Sequence, residues 1–298
     1  MKIKNLKIGD VIGLVSPSHI ETPETHNKII SRIKAKGFQI KIGANVYKNT
    51  YGYSASEEER ADDFNKMVLD KEVKMIFFRG GNGGVEILPY INYEAIKQNP
   101  KIFLSYSDGT SILNAIHSKT GLITYYGQDP DCFEDLRHYD YEQFNSHFIK
   151  GNANTFIRNS EWHTVNSGFC EGILIGGYTE NFALMVNSEY LSINNQCKYL
   201  LFLEDTEEYS NVRRVSMFIS CIEQSPFINN VSGLMFGSFS EKINSDLMSR
   251  LKRFGEKHNV PVIYCDDFGH GKNHAILPIG RNTKLNATTQ TLEFCKSW

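Results

Sequence analysis

The first half of the chain alternates short apolar runs with helix-period segments, and this alternation constrains the fold more than any other feature. Runs at residues 10–15, 38–42, 73–78, 102–105 and 122–125 have the length of strands. Strand and helix repeated in this way predict a mostly parallel sheet flanked by helices. The clearest helix follows Ser56, which forms a capping box with Glu59 and sets Ala61, Phe64 and Met67 roughly on one face.

Between Gln128 and Ser167 the alternation lapses into a polar, aromatic, charge-mixed stretch. A second series then begins, with strands at 172–175, 199–203, 233–236 and 262–264 and helices near 212–222 and 243–254. Turns and edge strands follow from Ile276. A chain of 298 residues is long for one core and comfortable for two. The expected class is α/β: an N-terminal domain over residues 1–150, a linker at 151–166, and a mixed α/β domain over 167–298, with the active site between the two domains.

The charge balance, 32 basic against 34 acidic residues with no long like-charged block, leaves no footprint for nucleic acid. Six cysteines without a CxxC pair suggest neither a disulfide scaffold nor a zinc ribbon, and read as reduced thiols in a cytoplasm. The apolar run 11–15 is broken by Gly13 and ends at Pro17, too short for a secretion signal or a membrane span.

Four segments, each at the end of an expected strand, carry chemistry. In Lys101 to Gly109, Ser107 stands at a sharp strand-to-helix turn, where the hydroxyl is lifted clear of the sheet and the next N–H faces a developing oxyanion. Ser105 takes the place of the first glycine of a G-x-S-x-G elbow, and taken alone the pair Ser107–Asp108 reads more readily as a helix cap. The run Arg79-Gly80-Gly81-Asn82-Gly83-Gly84 lets backbone approach a ligand closely, or is a tight turn. Val85-Glu86 stands where a phosphate loop needs Lys-Ser or Lys-Thr. The strand 199–203 runs into Glu204 and Asp205, either of which can orient a histidine or cap the helix beyond. In the segment Asp266 to His274 the glycines around His270 argue against a helical metal pair and leave the imidazole free to reach a serine.

Together these segments supply Ser, Glu and His in chain order, the recurrent acyl-transfer set. An α/β-hydrolase-like esterase has the same order, but its HGGG-like loop is absent. A non-enzymatic two-domain ligand-binding protein also fits the alternation.

Further strings extend almost end to end: Gly9 to Ser18, Glu58 to Asp63, Arg79 to Gly81, Asn99 to Asp108, Glu171 to Gly177, Leu201 to Asp205, Gly269 to Gly271 and Leu277 to Gly280. In these the chain resembles the LD-carboxypeptidase and microcin-immunity group of serine peptidases. The resemblance implies Ser107 as nucleophile, His270 as general base, Glu204 as orienting carboxylate, and the N–H groups of Gly81 and Asp108 as oxyanion hole. It also implies a cytoplasmic homodimer with no cofactor and no metal. Its substrate would be a small peptide or a peptidyl- or aminoacyl-nucleotide, met by Arg79, Gly80, Trp162 and Tyr178. Arg79 would pair with a substrate carboxylate. Trp162 would stack on an adenine ring or, equally, serve as an interdomain anchor. The chain departs from the family pattern at Ser105, Tyr178 and Gln128, the last two bearing on the shape of the substrate pocket.

Overall fold

The computed structural model describes residues 4–295. The expected parallel sheet is present. Strands β1 (Val11–Val15), β2 (Gln39–Ile42), β3 (Val73–Phe78), β4 (Ile102–Ser105) and β5 (Thr124–Tyr126) pair in parallel in the order β5-β4-β3-β1-β2. The chain runs outward from β1 to β2 and then returns past β1 to β3. The loops after β1 and β3 therefore diverge at the carboxyl edge and leave a crevice, the usual ligand position in such sheets. The helix Glu57–Leu69 carries the expected capping box, with the Ser56 hydroxyl accepting from the Glu59 N–H and the Glu59 carboxylate accepting from the Ser56 N–H.

The second sheet is mixed. Strands β6 (Trp162–Asn166), β7 (Phe169–Tyr178), β8 (Tyr199–Glu204), β9 (Val231–Ser238) and β10 (Val262–Gly269) contribute a parallel centre, β7-β8-β9-β10, edged by antiparallel β6. After β10 the chain recrosses to the first sheet, where β11 (Leu277–Ile279) pairs antiparallel with β5. It then comes back, and β12 (Asn282–Asn286) and β13 (Thr291–Phe294) extend the other edge of the second sheet.

Two details differ from the sequence reading. Residues 128–150, expected as irregular, hold the helices Cys132–Asp135 and His138–Phe144 and a π-turn. These bury Phe133, Phe144 and Phe148 against the face of the first sheet that carries Ile12, Met75 and Phe77. Residues 162–166, at the end of the expected linker, form β6. One apolar core joins the two sheets, with Phe78 and Phe103 from the first and Leu174 and Phe202 from the second. The helix Gly109–Thr120 lies between them and is anchored by Asn114 Nδ2 donating to the Gly176 carbonyl at 2.8 Å. Among the described residues no helix is long and apolar enough to cross a membrane.

Candidate active site

β4 ends at Ser105, and two residues later Ser107 adopts φ +55°, a left-handed conformation that a non-glycine residue holds only under constraint. The constraint is visible on both sides. Ser105 Oγ donates to the Phe78 carbonyl at 2.7 Å, tying β4 to β3. A Cβ on Gly109 would lie 2.1 Å from that same hydroxyl oxygen. The serine that replaces the first glycine of the elbow is thus accommodated because the last one stays a glycine.

Glu204 closes β8 with its side chain wholly buried, and β10 turns at Gly269 to present His270. Glu204 Oε2 accepts from His270 Nδ1 at 2.8 Å and from the His270 N–H at 3.3 Å. With Nδ1 protonated toward the carboxylate, Nε2 offers its lone pair to Ser107 Oγ, 3.1 Å away. Three side chains from three strand ends therefore form one hydrogen-bonded line across the junction of the sheets.

A fourth residue, which sequence reasoning did not single out, braces that line. The Tyr126 hydroxyl accepts from the Ser107 N–H at 3.1 Å and donates to Glu204 Oε1 at 2.5 Å. A tyrosine in a short apolar strand reads as core, and no sequence signal separates it from its neighbour Tyr125. Replacing Tyr126 with Phe leaves two buried groups unpartnered, a loss of about 1–3 kcal/mol. For a chain of this size Tm should fall by about 3–8 °C, and kcat by about tenfold as the line loosens, with KM little changed. An unchanged kcat would mean the brace has no part in turnover.

The glycine loop lies against the elbow. Asp108 is buried, and its Oδ2 accepts from the N–H groups of Gly83 (3.2 Å) and Gly84 (2.6 Å), while Oδ1 accepts from Asn181 Nδ2 at 2.7 Å. Gly80 touches Ser107 directly. A Cβ on Gly81 (φ +152°) would sit 2.5 Å from the Ser18 carbonyl oxygen. Among the described residues neither the Gly81 N–H nor the Asp108 N–H has a protein acceptor, so both are free to bind an oxyanion.

Burial alone would lower the pKa of His270, but the Glu204 carboxylate reverses the effect and the net direction is upward. Rings of Tyr106 (4.5 Å) and Tyr178 (5.1 Å) flank the imidazole. Asp205 is 1 % exposed; burial, with the charge of Glu204 added, pushes its carboxyl up to about 7 against the pull of the Thr206 N–H. Of its two oxygens one accepts from that N–H and the other has no partner among the described residues. A cavity of about 770 Å³ opens beside His270, walled by Glu207, Glu208, Glu241 and Asp266 with Lys272. No group of three or more His, Cys, Asp or Glu among the described residues is placed to hold a metal ion.

Two expected substrate contacts stand differently. Arg79 is already paired, with Asp131 at 2.6 Å and Glu21 at 3.2 Å, so its guanidinium is not an open carboxylate receptor. Trp162 is 2 % exposed, its indole N–H donating to Asp267 Oδ2 at 2.6 Å, with Phe156 at its edge and the Arg158 guanidinium 4.9 Å from the ring centre. That packing leaves the ring no open face for a nucleobase and makes it part of the second sheet's edge.

A serine, an imidazole and a buried carboxylate hydrogen-bonded in line across this junction are the parts of an acyl-transfer site. The LD-carboxypeptidase N-terminal domain matches residues 12–127 and the LD-carboxypeptidase C-terminal domain residues 171–285. The chain belongs to the LD-carboxypeptidase family. It is 28% identical to the microcin C7 self-immunity protein of Escherichia coli over 98% of this chain and 95% of that one. It is 27% identical to a probable murein peptide carboxypeptidase of Bacillus subtilis over 97% and 93%. A solved structure of the microcin C7 self-immunity protein in complex with aspartyl sulfamoyl adenosine superposes with a TM-score of 0.86 at 25% identity, covering 100% of this chain and 99% of that one.

Proposed function

We propose that the protein is a serine carboxypeptidase that releases the terminal D-alanine from a murein-type tetrapeptide. Ser107 Oγ attacks the scissile carbonyl as its proton passes to His270 Nε2; the oxyanion is held by the N–H groups of Gly81 and Asp108. His270 then gives that proton to the leaving amine. A water, deprotonated by the same imidazole, cleaves the acyl-enzyme and regenerates the serine. Glu204 holds the imidazole in the required tautomer and favours its charged form. The observation that carries this reading is the 3.1 Å and 2.8 Å pair of contacts from Ser107 through His270 to Glu204.

The murein peptide carboxypeptidase among the relatives supports a peptide substrate. The aminoacyl sulfamoyl nucleoside bound by the microcin relative supports a second reading, hydrolysis of an aminoacyl-nucleotide amide, but the packing of Trp162 favours the first. The cytoplasmic homodimer implied by the family resemblance belongs to the same proposal. Labelling with a serine-reactive phosphonate followed by peptide mapping is expected to modify Ser107, and the tetrapeptide is expected to lose D-alanine. Modification at another residue would overturn the site.

A further inference from the structure

One buried hydroxyl at the elbow has no part in the line from Ser107 to Glu204. Thr110 lies wholly buried in the first turn of the helix Gly109–Thr120. Its Oγ1 donates to the Ser107 carbonyl at 2.6 Å and accepts from the Tyr178 N–H, at the end of β7, at 2.8 Å. A hydroxyl has a single proton to give, and here it goes to Ser107 while the second sheet supplies a donor in return. A Cβ on Gly177 would lie 2.3 Å from the same oxygen, so a glycine at that position lets β7 come this close.

The carbonyl held by Thr110 belongs to the same peptide unit as the Asp108 N–H, one of the two proposed oxyanion donors. A trans peptide is planar, and its C=O and N–H point opposite ways. Fixing the oxygen therefore fixes the direction of the N–H. The Thr110 N–H bonds that oxygen too, at 2.9 Å, so two donors from one residue oppose rotation of the unit. The restraint matters at an elbow: Ser107 has φ +55°, and a flip of the peptide that follows it would turn the donor out of the hole. Polarisation adds to aim. A carbonyl that accepts hydrogen bonds makes its own amide N–H a stronger donor, by roughly 10–30% per bond in a chain. The chain here passes from the Tyr178 N–H through the Thr110 hydroxyl and the Ser107–Asp108 peptide to the place of the oxyanion.

We propose that Thr110 is a positioning residue for the oxyanion hole: its hydroxyl aims and polarises the Asp108 N–H and aligns that donor with the sheet that carries Glu204 and His270. The inference rests on the serine-peptidase reading above and deepens it.

Thr110→Val exchanges the hydroxyl for a methyl group of similar size and keeps the backbone N–H at position 110. Removing an oxyanion donor outright costs about 10²–10³-fold, and loosening one should cost less, about 10- to 100-fold in kcat/KM on the tetrapeptide. Labelling of Ser107 by the phosphonate, whose developing anionic oxygen enters the same hole, should slow by a similar factor. Thr110→Ser, which returns the hydroxyl, should restore most of both rates. The acidic limb of kcat/KM should stay where the wild type has it, because the bond from His270 to Glu204 is untouched. Thermal melts establish that each variant is folded. Should Thr110→Val not fold, Thr110→Ala beside Thr110→Ser gives the same comparison, since those two differ by one oxygen atom. The labelling rate requires no knowledge of the substrate. Equal labelling of wild type and Thr110→Val, or a Thr110→Ser variant no faster than the variants without a hydroxyl, would overturn this inference and leave the nucleophile standing. A wild-type protein whose Ser107 the phosphonate does not modify would overturn both.

Discussion

Ser107→Ala should lower kcat/KM by at least about 10³-fold while the protein stays folded. The hydroxyl oxygen bonds only to His270 Nε2 among the described residues, so its removal frees no buried partner, and the imidazole keeps its bond to Glu204. The left-handed backbone at this position is held from outside by the Ser105 tie to β3 and by Tyr126, neither of which the substitution touches. Stability should therefore move little, within about 0.5–1 kcal/mol, and a loss of activity is attributable to the missing nucleophile. Steady-state rates with the tetrapeptide, read beside a thermal melt, decide the matter. A variant that keeps a tenth or more of the wild-type rate would mean that another group attacks the carbonyl.

Glu204→Gln should cost on the order of 10²–10⁴-fold in kcat, because an amide at this position can present its N–H₂ to Nδ1 and stabilise the wrong tautomer. The pH profile separates this from a simple structural loss. His270 must be neutral to accept the serine proton, and its pKa is held above the ordinary 6.5 by Glu204, which offsets the depression caused by burial. In the wild type the acidic limb of kcat/KM should accordingly lie above pH 6.5, with activity rising as the imidazole loses its proton. Without the carboxylate, burial remains as the larger influence, and the limb in the variant should move down, below 6.5. A limb that stays in place would show that it reports a group other than His270.

The parts of the site legible in the sequence share one property: each is a chemically abrupt ending to an apolar run. The parallel strands β3, β4 and β8 and the loop after β10 deliver the glycine run, Ser107, Glu204 and His270 to one edge of their sheets, where open α/β proteins bind ligands. That rule turns linear position into spatial position without knowledge of packing. Where function depends on packing, the residues look ordinary. Tyr126 is one of two adjacent tyrosines, and only the placement of β8 beside the elbow makes its hydroxyl a brace. His19, Glu21 and Asp131 come from segments with no motif, and their convergence on Arg79 follows from the strand order, which periodicity does not report. Trp162 reads equally as anchor or platform until Asp267 and Phe156 are seen against it. The two short helices after residue 130 escaped notice because four and seven residues are too few to show a helical period.

The return of the chain to pair Leu277–Ile279 with β5 has a consequence for biosynthesis. The partner of Tyr126 in that pairing is Leu277, 151 positions later, so the first sheet's outer margin stays bare until that later segment has emerged from the ribosome. The imidazole lies just upstream of that late segment, at position 270. A nascent chain thus displays its serine long before it has the means to activate it, and hydrolytic competence arrives together with completion of the fold.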